Sequence, residues 1–382
     1  MSTRFTLDGS DKLEQRLSEL CDRIRERVQA LVPPEKLEAL VLGGGYGRGE
    51  GGVLSDDAGE HPYNDLEFYV FMRGNRLRNE TAFRKSLDAL GEQLSPGAGL
   101  HVEFKIDSLR NFRQRPVSMF SYDLVHGYKL LFGKADLFRD CSQHRNAQNI
   151  PLSEATRLLL NRCSGLLLVR ELLARDRLSP DESDFIGRNL AKAQLALGDA
   201  LLLALGLYDW SCLCRGKRLQ QLAPVEPVPQ FERIRQHHAA GVKFKLHPER
   251  ASRSQEQFSA LHRDVCGLAA ELWLWLESRR LKRNFDTLND YALDRARKCL
   301  DTSFCRNLLL SVRTFGFKAA LSPLATRYPR ERLFNSLPLL LWNGEISHEP
   351  EIRHHLQRQL STAATDRAGL VAAYKHVWPS YG

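Results

Sequence analysis

The chain has 382 residues, of which 43% are hydrophobic and 26% are charged. This composition is that of a soluble globular protein, and the length is sufficient for two or three domains with substantial cores. The formal net charge of +9 comes from 55 basic and 46 acidic residues, which favours anionic partners such as nucleotides or RNA but is also common without them. The longest near-apolar run, 193–208, contains Gln194 and Asp199, so we expect no membrane span.

The eight cysteines are scattered and form no CxxC pair. Cys212 and Cys214 form a CxC motif, but no second pair completes a zinc site. Reduced thiols in a cytosol are the simplest explanation of this spacing. Because residues 1–15 also lack the apolar stretch of a signal peptide, we expect a cytoplasmic protein.

Hydrophobic periodicity predicts both helices and strands in the first part of the chain. The predicted elements are a helix that begins at Ser10 or Asp11 and ends at Pro33-Pro34, a strand over 36–43, a strand over 65–72, a helix over 81–94 closed by a turn at 95–97, and a strand over 100–106. Together they predict an α+β fold with a short mixed β-sheet flanked by helices.

The remainder of the chain is predicted to be all-α. Apolar residues recur at helical spacing over 155–174 and 184–207, which predicts two packed helices, and again over 261–281. Residues 223–230 are proline-rich and are interpreted as a linker or loop, after which helices resume at about Gln255. The predicted organisation is an α+β domain at 1–145, a helical bundle at 150–222 and a C-terminal helical region at 223–382.

Two acidic residues stand near the start of the second predicted strand. Asp65 and Glu67 are two positions apart, and side chains two positions apart on a strand point to the same face. Paired carboxylates are suitable ligands for a hard divalent cation. In the predicted strand 100–106, apolar and polar residues alternate, and Glu103 lies on the polar face.

A glycine-rich turn follows the first predicted strand, in the sequence GGGYGRG over 43–49. Glycines such as Gly44 and Gly45 can adopt positive φ and let backbone N–H groups approach a ligand closely. Successive N–H groups bind phosphate, and Arg48 would add a charged fork. The sequence therefore predicts a phosphate site beside a carboxylate pair.

The stretch 42–71 resembles the catalytic core of the nucleotidyltransferase superfamily related to DNA polymerase β. Members carry a glycine-serine turn, a strand with two spaced acids and a third acid on a later strand, a pattern that Asp65, Glu67 and Glu103 match. The nearest likeness is to antibiotic-modifying and minimal nucleotidyltransferases. Segment 121–133 resembles the helix and small strand that often close their catalytic domain.

The resemblance implies a Mg²⁺-dependent enzyme that transfers a nucleoside monophosphate from an NTP, with ATP as the expected donor, to a hydroxyl-bearing acceptor. Two Mg²⁺ ions on Asp65 and Glu67 would bridge the phosphates. Glu103 would complete the metal site or accept the proton of the hydroxyl, and Arg48 would neutralise the departing pyrophosphate. A small molecule is the expected acceptor, with protein or RNA as alternatives, because the fold does not choose among them.

Two features depart from the superfamily pattern. Gly45 stands where serine is usual, which removes a hydroxyl that would contact phosphate. The interval from Gly45 to Asp65 is long, and residues 51–62 are interpreted as an inserted hairpin or loop. Ser55-Asp56-Asp57 lies in this insertion and lacks the apolar alternation of a strand, so it is interpreted as loop. The alternative function is a degenerate scaffold that binds nucleotide or RNA without turnover.

Charged residues also occur in the helical part. Lys192 and Asp199 are seven positions apart and share one face of an apolar helix, where they need partners. They either form a structural network with neighbouring residues or line the cleft that faces the catalytic strands. In the second case Lys192 would be a nucleotide-binding residue. The basic cluster RRLKR over 279–283 is interpreted as a solvated helix face rather than an RNA-binding stripe.

Overall fold

The computed structural model describes residues 4–223, 226–250, 253–343 and 349–382. The strands are β1 (Leu37–Leu42), β2 (Gly52–Asp56), β3 (Gly59–Tyr63), β4 (Leu66–Met72), β5 (Val102–Asp107) and β6 (Lys129–Phe132). The helices are α1 (Asp11–Leu31), α2 (Gly44–Arg48), α3 (Arg76–Ala98), α4 (Leu109–Gln114), α5 (Met119–His126), α6 (Ser153–Leu173), α7 (Pro180–Ala204), α8 (Cys212–Gln221), α9 (Phe231–Leu246), α10 (Gln255–Leu281), α11 (Leu288–Leu293), α12 (Phe304–Phe315), α13 (Pro329–Leu341), α14 (Pro350–Leu360) and α15 (Arg367–Tyr381).

The chain divides into two compact units, each built from several stretches of sequence. The first unit comprises Met1–Glu154, Leu205–Leu222 and Ala239–Arg250, and the second comprises Ala155–Ala204, Ala223–His238 and Ala251–Gly382. The fold class is α+β, because the strands all belong to the first unit and the described part of the second is helical. Among the described residues, no helix is both long and apolar enough to cross a membrane.

A four-stranded mixed sheet forms the centre of the first unit, in the order β5-β4-β1-β6. β1 is antiparallel to β4 and β6, whereas β4 is parallel to β5. One face of the sheet, with Phe68 and Phe104, packs against α1 and α3 through residues such as Ile24 and Leu87. The other face carries Val41, Tyr69 and Phe71 and packs against Phe112, Leu124 and Phe138.

Local sequence signals located most of these elements correctly. The Ser10 side chain caps α1 by accepting from Leu13 N. The helix and small strand expected over 121–133 are α5 and β6, whose outer ends agree with this range to within two residues. The inserted segment is a hairpin, with β2 antiparallel to β3. Ser55 and Asp56 belong to β2 rather than to a loop, since Asp56 pairs with Gly59 across the hairpin.

Some boundaries predicted from sequence were wrong, and one helix was not predicted. The predicted turn at 95–97 is the last turn of α3, which continues to Ala98 because the Gly99 N–H caps the carbonyls of Ser95 and Pro96, with Gly99 at φ 71°. Asp65 precedes β4 instead of beginning it, and the residue before it, Asn64, has φ 75°. α9 lies in a stretch before Gln255 that was not predicted as helix. Of the predicted linker, residues 224–225 lie outside the described residues, and 226–230 lie between α8 and α9.

The second unit contains a buried polar network on α10. Glu277 is fully buried and accepts hydrogen bonds from Thr156 Oγ1 at 2.6 Å, Tyr291 Oη at 2.8 Å and two Arg280 nitrogens at 2.6 Å. Arg280 is therefore not part of a solvated basic face, as predicted for 279–283, because its guanidinium turns inward to this carboxylate.

Candidate functional site

Two of the predicted acids are brought together on neighbouring strands. Glu67 on β4 is in register with Glu103 on β5, and since the strands are parallel, both side chains lie on the same face of the sheet. Lys105 Nζ lies 2.7 Å from Glu67 Oε1 and 3.2 Å from Glu103 Oε2. All three side chains are partly exposed. One ammonium thus neutralises much of the repulsion between the two carboxylates.

Lys105 is held in its charged form. Burial alone would lower its pKa, but Tyr69, Glu67 and Glu103 outweigh burial and raise the pKa above the ordinary value for lysine. The ammonium also lies 5.6 Å from the centroid of the Tyr69 ring, a favourable cation–π position. This role of Lys105 was not predicted, although the alternation in β5 already placed Lys105 on the same face as Glu103.

The glycine-rich segment lies directly against Glu67. The Gly43 N–H donates to the Glu67 carbonyl at 2.9 Å, which ties the end of β1 to β4. Gly44 has φ 62°, and a Cβ built on it would lie 3.0 Å from Glu67 Oε2. The predicted open turn is shorter than expected, because α2 begins at Gly44. Gly44 and Gly45 are partly exposed, and N–H groups in the first turn of a helix have no partner within it.

A lysine from a distant part of the chain approaches the same segment. A Cβ built on Gly45 would lie 3.4 Å from Lys245 Nζ and 3.0 Å from the Glu50 carbonyl oxygen. Lys245 belongs to the part of α9 in the first unit. Burial, and then the neighbouring Arg48, lower its pKa. Within the described part of the chain, Lys245 Nζ makes no hydrogen bond or ion pair, so its charge is available to a ligand.

Arg48 is positioned by α5. Its Nη1 lies 3.1 Å from Asp123 Oδ2, and the Arg48 side chain is 11% exposed. Tyr208 Oη donates to the same carboxylate oxygen at 3.4 Å. Arg48 is thus a fixed, largely buried cation of the first unit. Asp123, which orients it, was not predicted from sequence because the pair joins residues far apart in the chain.

The other two predicted site residues are placed differently. Asp65 is exposed and lies just outside β4, so the strand alternation that linked it to Glu67 does not extend to it. Among the described residues, no three His, Cys, Asp or Glu side chains are grouped so that they could hold a metal ion. Lys192 is exposed on α7, in the second unit.

Asp199, which shares the predicted helix face with Lys192, makes a buried hydrogen bond in the second unit. His238 Nε2 lies 2.9 Å from Asp199 Oδ1, and both side chains are buried. This contact agrees with the structural network considered for Asp199.

Comparison with known proteins adds no family assignment. No protein-family model matches the chain, and no curated protein sequence matches it significantly.

Proposed function

We propose that the first unit is a nucleotidyltransferase that transfers a nucleoside monophosphate from an NTP, with ATP as donor, to a hydroxyl-bearing acceptor and releases pyrophosphate. The observation that carries the proposal is the position of Lys245. Its unpaired ammonium stands next to Gly45 and is close enough to Glu67 on β4 for that carboxylate to affect its pKa. An unpaired, partly buried cation beside exposed backbone N–H groups suits a phosphate.

Lys245 also explains why glycine is tolerated in place of the superfamily's serine. A side chain at Gly45 would crowd the Glu50 carbonyl at 3.0 Å and Lys245 Nζ at 3.4 Å. The ammonium supplies a donor where the hydroxyl is missing, and a charged donor gives a stronger hydrogen bond to phosphate than a neutral one. Arg48, fixed by Asp123, adds a second cation to the same region, as its effect on the pKa of Lys245 indicates.

The carboxylates have the chemistry that Mg²⁺ prefers. Asp65, Glu67 and Glu103 offer partly or fully exposed oxygen ligands, and Glu67 and Glu103 already hold one cation, Lys105. Glu67 and Glu103, which are in register on neighbouring strands, would hold the metal, and Asp65 would have to approach them to complete the site. The metal, two ions in the superfamily, would supply neutralisation of the triphosphate charge. Lys105 competes for the same oxygens and has to move aside for Glu67 and Glu103 to ligate together.

Glu103 is suited to accept the proton of the acceptor hydroxyl. Its side chain is 43% exposed, and a carboxylate that a substrate can reach is able to act as a general base. We propose a small molecule as acceptor. Protein and RNA acceptors share the same chemistry on this fold.

A second candidate function is nucleotide or RNA binding without turnover. The specific observation in its favour is the Lys105 bridge, which occupies oxygens of Glu67 and Glu103 at 2.7 and 3.2 Å. If Lys105 keeps that position when nucleotide is bound, the phosphate site around Lys245 remains while the metal site is closed. Release of pyrophosphate distinguishes the two functions.

The first test measures the thermal midpoint with Mg²⁺ and each of four non-hydrolysable NTPs, for wild type, Lys245→Ala and Lys243→Ala. Binding to the folded state raises the midpoint by mass action. We expect one nucleotide to stabilise both wild type and Lys243→Ala. Lys245→Ala should bind this nucleotide about tenfold or more weakly, because a hydrogen bond to a charged group is lost. Lys243 is the matched control, since it lies on the same helix, is 71% exposed and pairs with Glu249.

Two results would count against the proposal. Absence of any shift at millimolar concentrations of all four nucleotides would contradict nucleotide binding. An equal shift in Lys245→Ala and wild type would show that Lys245 does not hold phosphate. A nucleotide-dependent shift without pyrophosphate release, across a panel of hydroxyl acceptors including RNA, would favour the binding function over transfer.

A further inference from the structure

The second unit contains a large cavity that the proposed transferase chemistry does not use. Its volume is about 1310 Å³, which exceeds the roughly 300–1,000 Å³ of most small-molecule sites. Its walls come from the end of α11, the segment 322–327, and the helices α13 and α14. Hydroxyl and amide side chains are frequent in the lining, as at Ser361, Thr362 and Asn335.

Positive charge predominates around this cavity. Arg295, His354 and Arg358 line it, and among the residues that the structure describes none of these three side chains makes an ion pair or a hydrogen bond. Two carboxylates also line the cavity: Asp294 is already paired with Arg283 at 2.7 Å, and Glu351 is exposed on α14. The guanidinium groups of Arg295 and Arg358 and the ring of His354 are therefore available to an anionic ligand.

The wall of the cavity contains a buried acceptor without a donor. Gln359 is 5% exposed and lines the cavity, and its Oε1 has no hydrogen-bond partner among the described residues. Its amide nitrogen lies 3.3 Å from His355 Nε2, and His355 is also buried in the lining. A buried carbonyl oxygen without a donor is costly to the fold. Rotation of the Gln359 amide toward the cavity would let an O–H or N–H of a ligand satisfy it.

A second buried group behind the same wall is also unsatisfied. Arg332 is fully buried and donates from Nη1 to Ser361 Oγ at 3.0 Å, while its Nε and Nη2 have no partner among the described residues. The guanidinium lies 4.0 Å from the centroid of the Phe315 ring. Burial lowers the pKa of Arg332 to about 10, which leaves it charged at neutral pH. A cation buried without a carboxylate partner adds to the positive potential of the adjacent cavity.

We propose that this cavity is a binding site for a phosphate monoester of a polyhydroxylated small molecule, the class that includes sugar phosphates and nucleoside monophosphates. The phosphate contacts Arg295, Arg358 and His354 at the exposed side of the cavity. A hydroxyl donates to Gln359 Oε1, and the hydroxyl and amide side chains of the lining bind the remainder. This site is independent of the proposed transferase function, because it consists only of residues of the second unit.

Isothermal titration of the full chain with matched probes tests the proposal: ribose 5-phosphate against ribose, and AMP against adenosine. We expect a phosphorylated probe to bind and its unphosphorylated counterpart to fail. Arg358→Ala removes a phosphate contact, and Gln359→Met removes the acceptor at similar volume, so each should weaken binding by about tenfold or more. Arg306→Ala, an exposed arginine on α12 outside the lining, should bind as wild type does.

The outcomes separate this site from the one in the first unit. Binding that survives both Arg358→Ala and Gln359→Met, or that is lost in Lys245→Ala, would place the ligand elsewhere and overturn the proposal. Absence of binding by both phosphorylated probes at millimolar concentration would also overturn it. Unchanged circular dichroism and thermal midpoints of the variants show that any loss reflects the site rather than the fold.

Discussion

Glu277 in the second unit and the Glu67–Glu103 pair in the first are both carboxylate sites held by a cation, yet they differ in completeness. Glu277 is fully buried, and its oxygens accept from Arg280, Tyr291 and Thr156. Glu67 and Glu103 are partly exposed and share a single lysine. A closed network has no vacancy for a ligand and stabilises the fold, whereas an open pair can exchange its cation. Charge alone therefore does not mark a functional site.

The largest expected effect comes from breaking the closed network. Glu277→Ala leaves Arg280 and Tyr291 buried without their acceptor, and loss of one member of a buried ion pair costs about 3–5 kcal/mol. We expect urea denaturation followed by circular dichroism to show this loss in the free energy of unfolding of the second unit. Glu67→Ala is the control and should lose about 1 kcal/mol or less, because its ion pair is partly exposed. Equal losses in the two variants would contradict the distinction between closed and open sites.

Another buried group of the second unit, His355, is expected to make the stability of this unit depend on pH. Burial, then the neighbouring Arg358 and Lys298, lower the pKa of His355 to about 4 from 6.5. Between these pH values the unfolded chain binds a proton that the folded chain does not. The contribution of His355 to stability is therefore complete above pH 6.5 and falls as the pH decreases toward 4, by about 3 kcal/mol in all.

Comparison of wild type with His355→Gln isolates this contribution. We expect the difference in free energy of unfolding between the two proteins to shrink or change sign as the pH is lowered from 7 to 4, since glutamine does not titrate. Parallel curves over this range would show that His355 titrates normally in the folded protein.

Short-range patterns in the sequence predicted part of the fold, and long-range contacts account for the rest. The Ser10 cap of α1 and the alternation in β5 that exposes Glu103 are local and were predicted correctly. α9 was not predicted, because its buried apolar positions, such as Ile234 and Val242, are few and are separated by polar residues. The end of α3 was placed too early because proline is tolerated in a final helical turn that Gly99 caps.

The candidate site was likewise predicted only in part. Glu67, Glu103 and the glycine segment were predicted from spacing, and the register of β4 with β5 brings the two acids together. Lys245 could not be predicted, because its approach to Gly45 joins α9 to the end of β1. Arg280 was expected in solvent, and only the buried Glu277 explains its inward orientation. Partner identity is a tertiary property that sequence spacing does not encode.

The smallest expected effect tests whether the open pair can exchange its cation. In Lys105→Met, the carboxylates of Glu67 and Glu103 lose the ammonium that both contact at 2.7 and 3.2 Å. Their repulsion should cost about 1 kcal/mol or less in metal-free buffer, since both groups are partly solvated. Mg²⁺ should restore the lost stability and bind more tightly than to wild type, as measured by the thermal midpoint and by titration calorimetry. Lys85→Met is the control and should show neither change, because Lys85 is exposed on α3. If Lys105→Met responded to Mg²⁺ as wild type does, Lys105 and the metal would not share these oxygens.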